Sequence, residues 1–391
     1  MTIKSISTNI GKALLINAFF MFIAIVISVI EGFDSGFTPL AISFSVTFIT
    51  GMFPFIFVKS EPSATLQSGF MTIVLSWLLS FVFGMLPYVL WGGEFTLINA
   101  WFESVSGYTT TGATILTDIE SLPKSILFWR SSTHFIGGLG VIIFLLMVLP
   151  DSSAVKLRLT HLELSSLSKE GYRFRSGTTA RVMVGVYCAL TTCLFLLLWA
   201  AGMSPFDAVN HAFSTVSTGG FSTRNMSIMH YDSVIIDIIL TVFMILSSMH
   251  FGTLFAIAVK RSFKPLGNSV TRYYLSIIAV ISIIIMLSLK LQGGYESWGK
   301  ALLDSTFQTA SYISTTGFGQ ADNALWPLLA NTLLIFAAFH CGCSGSTTGG
   351  IKADRAYISI KAIYGEFQKR LHPNSMFRTR INGRILDEEA I

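Results

Sequence analysis

Charge is scarce in this chain. Asp, Glu, Lys and Arg make up 12% of its 391 residues while 52% are hydrophobic, and a soluble globular domain carries about 25% charged residues. That scarcity excludes an ordinary water-soluble fold. Cysteine is also rare: Cys188, Cys193, Cys341 and Cys343 all fall in apolar runs and offer no disulfide framework. The chain has no His-Glu-x-x-His, no paired intramembrane carboxylates and no Ser/His/Asp arrangement, so a membrane-embedded enzyme, which would have to be built from His134, His250, His340 and Asp304, has little support. No Gly-x-x-x-x-Gly-Lys-Ser/Thr loop is present to cradle a nucleotide phosphate.

What the chain has instead is long apolar sequence. A membrane-crossing helix needs roughly 20 apolar residues, and eight stretches approach that length: 13 to 30, 37 to 58, 68 to 91, 125 to 149, 181 to 202, 233 to 258, 272 to 291 and 325 to 342. The first follows Lys12, lacks a small-residue cleavage site and leads into a second, which makes it a retained helix rather than a signal peptide. Of the 26 Lys and Arg, 21 are Lys4, Lys12, Lys59 and those in segments 151 to 181, 259 to 272 and 352 to 391, one side of an eight-helix topology. The positive-inside rule makes that side, and both termini, cytoplasmic. The net charge of +5 is thereby explained without nucleic acid, although a cytoplasmic partner or anionic lipid heads could use it.

One tripeptide recurs between these stretches. Thr110-Thr111-Gly112, Ser217-Thr218-Gly219 and Thr315-Thr316-Gly317 follow one another at intervals of 107 and 98 residues, the signature of a repeated unit. Each closes a stretch of ten to sixteen residues that starts with a possible N-cap, Thr96, Ser204 before Pro205, or Ser297. Helices so short suit re-entrant segments, which membranes tolerate only where protein or a water-filled cavity surrounds them. The negative end of a helix dipole favours a cation, and glycine lets successive carbonyls turn toward a common axis, where they replace a hydration shell. A single such tripeptide is more often a packing device. Three in matching register point to a carbonyl-lined cation filter.

These residues resemble the TrkH/KtrB superfamily of potassium uptake proteins, whose unit is outer helix, pore helix, filter loop and inner helix. Also similar are Trp129-Arg130-Ser131 with Ile136-Gly137-Gly138-Leu139-Gly140, and the run Cys343-Ser344-Gly345-Ser346-Thr347-Thr348-Gly349-Gly350-Ile351-Lys352. The resemblance covers essentially the whole chain, and two additional N-terminal spans match the TrkH branch. It implies an all-α polytopic membrane protein with a two-helix unit (1–66) and three helix–pore loop–helix repeats of a pseudo-fourfold potassium-channel-like pore (67–160, 161–262 and 263–364). Residues 365–391 follow as a cytoplasmic linker.

By the same resemblance, the filter is Thr110, Thr111, Gly112, Ser217, Thr218, Gly219, Thr315, Thr316 and Gly317. Potassium, the transported substrate, meets Thr111, Gly112, Thr218, Gly219, Thr316 and Gly317, and no cofactor is expected. A gating loop at 340–350 comprises Gly342, Cys343, Ser344, Gly345, Ser346, Thr347, Gly349 and Gly350, with Lys352 at its cytoplasmic mouth. Its start departs from the family's usual Gly-Gly-Cys, reading Cys341-Gly342-Cys343. The expected partners are a second copy and a TrkA-like cytoplasmic nucleotide-binding subunit resting on the basic faces, in the inner membrane of a bacterium. The family ring has four units and three are visible here, so the expectation is of a truncated chain, not competent alone; supply of the fourth by another polypeptide is the less favoured alternative. Channel and ion-coupled symport both remain open.

Several polar residues have a structural reading. Arg130 is expected to pair with a carbonyl or with Glu103, and His134, His250 and His340 to be hydrogen-bonded packing residues. Asp207 and Asp304 are placed in the first turns of pore helices, complementing their dipoles. Cys341 and Cys343 are expected to behave as small buried hydrophobes.

Overall fold

The computed structural model describes residues 3–58, 66–147, 176–259, 261–372, 380–381 and 384–385. Much of the basic segment 151 to 181 lies outside them. Almost everything described is helical, with one two-residue antiparallel strand pair, Arg380–Ile381 against Arg384–Ile385.

Helices α1 (Ile3–Ile30) and α2 (Phe37–Phe57) form an N-terminal hairpin. It leans on α3 (Leu66–Trp91), where Asn17 Nδ2 donates to Ser80 Oγ at 3.1 Å in the apolar interior. The turn of the hairpin is tied to α5 (Lys124–Met147) by Asp34, whose carboxylate accepts from Ser125 N and Ser125 Oγ. After α3 comes a short helix, α4 (Leu97–Tyr108), then a return loop, then α5. The same order repeats as α6 (Ser176–Ala200), α7 (Pro205–Val216) and α8 (Val234–Ser247), and again as α10 (Ser269–Leu291), α11 (Trp298–Ile313) and α12 (Leu328–Phe339).

Among the described residues, five helices are long and apolar enough to cross a membrane unaided, within α1, α2, α3, α6 and α10. Three of the eight expected spans differ. Helix α5 is long enough, but its first half is polar and buried all round, at Ser125, Arg130, Ser131, Ser132, Thr133 and His134. The stretch 233 to 258 is not one helix: α8 ends at Ser247 and α9 (Phe251–Ala258) leaves at 111° to it. The stretch 325 to 342 yields only the 12 residues of α12, because the chain then enters an irregular loop before α13 (Ala353–Leu371). Both breaks have one cause, since the loop and the bend hold each other's backbone groups. Composition alone reads these stretches as continuous because the loop residues are small and weakly polar.

Candidate functional site

The three short helices, α4, α7 and α11, each start at a residue able to cap them, and in two the side chain does so. Thr96 Oγ1 accepts from Asn99 N, and Ser204 Oγ from Asp207 N at 3.0 Å with Pro205 in the first helical position. Ser297 holds the cap position of α11 but makes no capping side-chain bond. Each helix ends the same way. Thr110, Thr218 and Thr315 all take left-handed φ of 53°, 58° and 57°. The next amide in each chain folds back to a helix carbonyl: Thr111 N to Ser106 O, Gly219 N to Ser214 O and Thr316 N to Ser311 O.

This geometry corrects the register of the middle copy. Two residues beyond each left-handed threonine stands a glycine with positive φ, and these are Gly112, Gly220 and Gly317 at 75°, 86° and 83°. Gly219 is therefore the counterpart of Thr111 and Thr316, not of Gly112 and Gly317, and the intervals become 108 and 97 residues. The tripeptide match hid the shift because the second copy places two glycines in succession.

The segments pack head to side. A Cβ on Gly112 would collide with the carbonyl oxygen of Gly219, and one on Gly220 with that of Thr316. Each contact joins the glycine of one segment to the preceding-position carbonyl of the next, the same relation repeated. Gly317, last in order, has nothing within 4 Å of where its Cβ would be and is exposed, as is Thr111 on the first segment, whereas the middle segment from Ser217 to Gly219 is buried. Segments one, two and three thus pack in succession, one against two and two against three.

Polar side chains from the short helices hold the return limbs. Ser106 Oγ donates to Ala113 O at 2.6 Å and, at the equivalent place, Ser311 Oγ to Phe318 O at 2.8 Å. One turn earlier, Glu103 accepts from Thr114 Oγ1 and Ile115 N, while its counterpart His211 uses Nε2 toward Ser222 Oγ at 3.0 Å. Arg130 of α5 completes this layer. Its Nε meets Glu103 Oε1 at 2.5 Å, its Nη1 donates to Ser222 O, and its guanidinium lies 3.7 Å from the Phe221 ring centre. Both expected partners of Arg130, a carbonyl and Glu103, are present at once, and they belong to different filter segments.

A second tie sits nearer the helix starts. Asp207 accepts from Thr223 Oγ1 at 2.6 Å and from Arg224 Nη2 at 3.1 Å. Burial would push its carboxyl up, and the bonds from Thr223 and Arg224 outweigh this, holding it below the usual carboxylate range. At the matching place in the third unit, Asp304 accepts from Gln320 Nε2 at 2.9 Å, and the same nitrogen donates to Asp237 of α8 at 3.0 Å. Asp304 is the seventh residue of α11, not in its first turn, so its role is to bond the return limb and Tyr295 rather than to complement the dipole.

The loop expected at 340–350 packs between the α8–α9 bend and the ends of the second and third short helices. Its neck is closed by Cys341 N to Ile351 O and Ala353 N to Gly342 O. One flank fills the α8–α9 bend: Cys343 N donates to Ser248 O at 2.8 Å and Phe251 N to Gly345 O at 3.2 Å. Gly342 is required there, since a Cβ would press on the Ser248 carbonyl. The tip reaches the filter. Thr347 Oγ1 donates to Val216 O, at the end of α7, and Gly349 N to Oγ1 of the left-handed Thr315. Ser344 is held by Asp354 of α13 through both its amide and hydroxyl, Ser346 Oγ bonds Cys343 O, and Lys352 Nζ bonds the carbonyl and hydroxyl of Thr348. Gly350, at φ 61°, closes against Cys341.

The three histidines are packing residues with hydrogen bonds: His134 to Ser214 Oγ and stacked on Phe221, His250 capping Gly252 N, and His340 to the Tyr273 hydroxyl. Cys341 and Cys343 are buried free thiols. Among the contributors that escaped sequence reasoning are His211, Asp237, Gln320 and Asp354. The first and third could have been found by aligning the units on Gly220, which places them opposite Glu103 and Thr223.

The chain has relatives throughout. The profile of the TrkH family, described as a cation transport protein, matches residues 40–391. The Trk system potassium uptake protein TrkH of Salmonella typhimurium is 35% identical over 298 residues, 76% of this chain and 62% of that protein. The Escherichia coli K12 protein TrkG, of the same system, is 33% identical over 299 residues, 76% of this chain and 61% of its own length. In three dimensions the crystal structure of the potassium transporter TrkH from Vibrio parahaemolyticus superimposes with a TM-score of 0.86 at 30% identity, over 99% of this chain and 80% of that one. The chain's matches thus span about 62% of the length of the curated TrkH relatives.

Proposed function

Because the chain belongs to the TrkH family of cation transport proteins, we propose that it contributes to potassium uptake as a pore-forming polypeptide, supplying three consecutive segments of a potassium filter. The observation that carries this reading is the repeated contact of Gly112 with the Gly219 carbonyl and of Gly220 with the Thr316 carbonyl, with the loop from Cys341 to Lys352 lodged against the ends of the second and third segments. Carbonyls and hydroxyls in such an arrangement offer neutral oxygen ligands to a dehydrated monovalent cation. Thr110 to Gly112, Thr218 to Gly220 and Thr315 to Gly317 are the ion-facing residues, with Gly219 in the place of Thr111. Residues 67–160, 161–262 and 263–364 are the three pore units. The loop is the gate, and opening it requires release of Thr347 and Gly349.

The remaining parts of the reading rest on the family resemblance and the charge distribution. The chain is a multi-span protein of a bacterial inner membrane with its basic segments and termini in the cytoplasm. It works as a homodimer with a cytoplasmic nucleotide-binding subunit that acts on the loop. The reading involves transport alone and no catalytic step.

Binding tests it without requiring flux. The purified protein should bind radioactive rubidium, displaced by potassium at lower concentration than by sodium. Gly220→Ala should abolish that binding while the elution volume on size exclusion is unchanged. Equal displacement by sodium, or undiminished binding by the variant, would overturn the proposal.

A further inference from the structure

Helix α13 emerges from the loop at Lys352 with no linker. Only its first turns are packed: Ala353, Asp354 and Ile358 are buried, and Tyr357 meets Tyr273 at the start of α10. Beyond them Ile360, Ile363, Tyr364, Phe367 and Leu371 are each more than half exposed. At 3.6 residues per turn these five lie in an arc of about 100°, on the side of the helix away from Asp354 and Ile358.

The charges decide what such a face fits. From Lys352 to Leu371 the sequence holds five Lys and Arg against two acids, Asp354 and Glu366. Neither acid is available to oppose an anion, since Asp354 is buried on Ser344 and Glu366 is paired with Lys369 at 2.7 Å. Lys361 and Arg370 stand just outside the two edges of the apolar arc. Cations bracketing an apolar stripe on a helix are the arrangement of an interfacial helix, its apolar residues among the outer acyl carbons and its cations among headgroup phosphates.

We infer that the exposed face of α13 docks on the anionic cytoplasmic leaflet of the membrane, with Ile360, Ile363, Tyr364, Phe367 and Leu371 inserted and Lys361 and Arg370 on lipid phosphates. The docking does not depend on which ion the pore takes. If the loop is the gate, it follows that the leaflet is one of the gate's two anchors, the other being the bend at Ser248.

A fluorophore tests the placement. In the full chain, with the lipid-exposed Cys188 and Cys193 changed to serine and the buried Cys341 and Cys343 kept, Phe367→Cys is labelled with an environment-sensitive dye. The protein is then reconstituted into vesicles. Quenching by a shallow spin-labelled lipid should be about twofold or more stronger in phosphatidylglycerol vesicles than in phosphatidylcholine alone. Lys361→Gln with Arg370→Gln should remove the difference. Ile363→Cys provides a second labelling position if Phe367→Cys does not fold. A dye that aqueous iodide quenches equally in both vesicles would overturn the inference. So would shielding that follows the protein-to-lipid ratio and ignores lipid charge, since that result assigns the face to a second copy.

Discussion

Gly220 lies against the main-chain carbonyl of Thr316 so closely that no Cβ fits between them. The obstacle is backbone, and φ at Gly220 is 86°, a conformation that favours glycine. Gly219, one residue earlier, meets a different obstacle, the imidazole of His134. Alanine at either position should impair rubidium binding. Removing the ring with His134→Ala should restore binding to Gly219→Ala and do nothing for Gly220→Ala. Rescue of both, or of neither, by equilibrium binding would contradict the register assigned to the second segment.

Arg130 bridges two segments, through Glu103 on the first and the Ser222 carbonyl and Phe221 ring on the second. Both members of the ion pair are buried, and breaking such a pair leaves one charge uncompensated. Glu103→Gln should therefore destabilise the protein by about 3–5 kcal/mol, read as thermal unfolding in detergent. The double variant Glu103→Gln with Arg130→Met should be more stable than the single one. A single variant at least as stable as the double would refute the bridge.

Asp207 carries a pH dependence of defined sign. Its carboxyl is held below its ordinary value by Thr223 and Arg224 against the effect of burial. The stability it contributes is fully present above about pH 4, the unfolded value, and is lost as pH falls through the lower folded one. The stability gap between the parent and Asp207→Asn should be constant from neutrality down to that point and should then close. A gap that widens on acidification would show that the carboxyl is held up instead.

Thr347 ties the loop to the end of α7 and to Ser247. Loss of a hydrogen bond of this kind is worth roughly 0.5–1.5 kcal/mol. Thr347→Val should then raise the rate at which a water-soluble maleimide reaches buried Cys343 by roughly twofold to tenfold. An unchanged rate would mean that the hydroxyl does not hold the loop.

The sequence was most legible where period and composition agreed. The alternation of long apolar helices with short ones appeared as expected, with side-chain caps at Thr96 and Ser204 but not at Ser297, and so did the pairing of Arg130 with Glu103. Legibility failed where one backbone detail mattered. The Gly219-Gly220 pair allowed two alignments, and only the left-handed φ of Thr218 chooses between them. The bend after Ser247 was also hidden, because what breaks that helix is a loop about a hundred residues later whose amides claim the Ser248 carbonyl and whose carbonyl takes the Phe251 amide. Asp237 and Asp304 share Gln320 only because α8 and α11 pack side by side.

The central claim is that three Thr/Ser-Gly segments line one ion path. Crystals of the protein grown in rubidium or thallium salts would place the ion directly through its anomalous signal. The account predicts peaks on the axis enclosed by residues 110 to 112, 218 to 220 and 315 to 317, lost when rubidium is exchanged for sodium. Peaks confined to the basic surface or the outer acidic residues, with none among these segments, would contradict it.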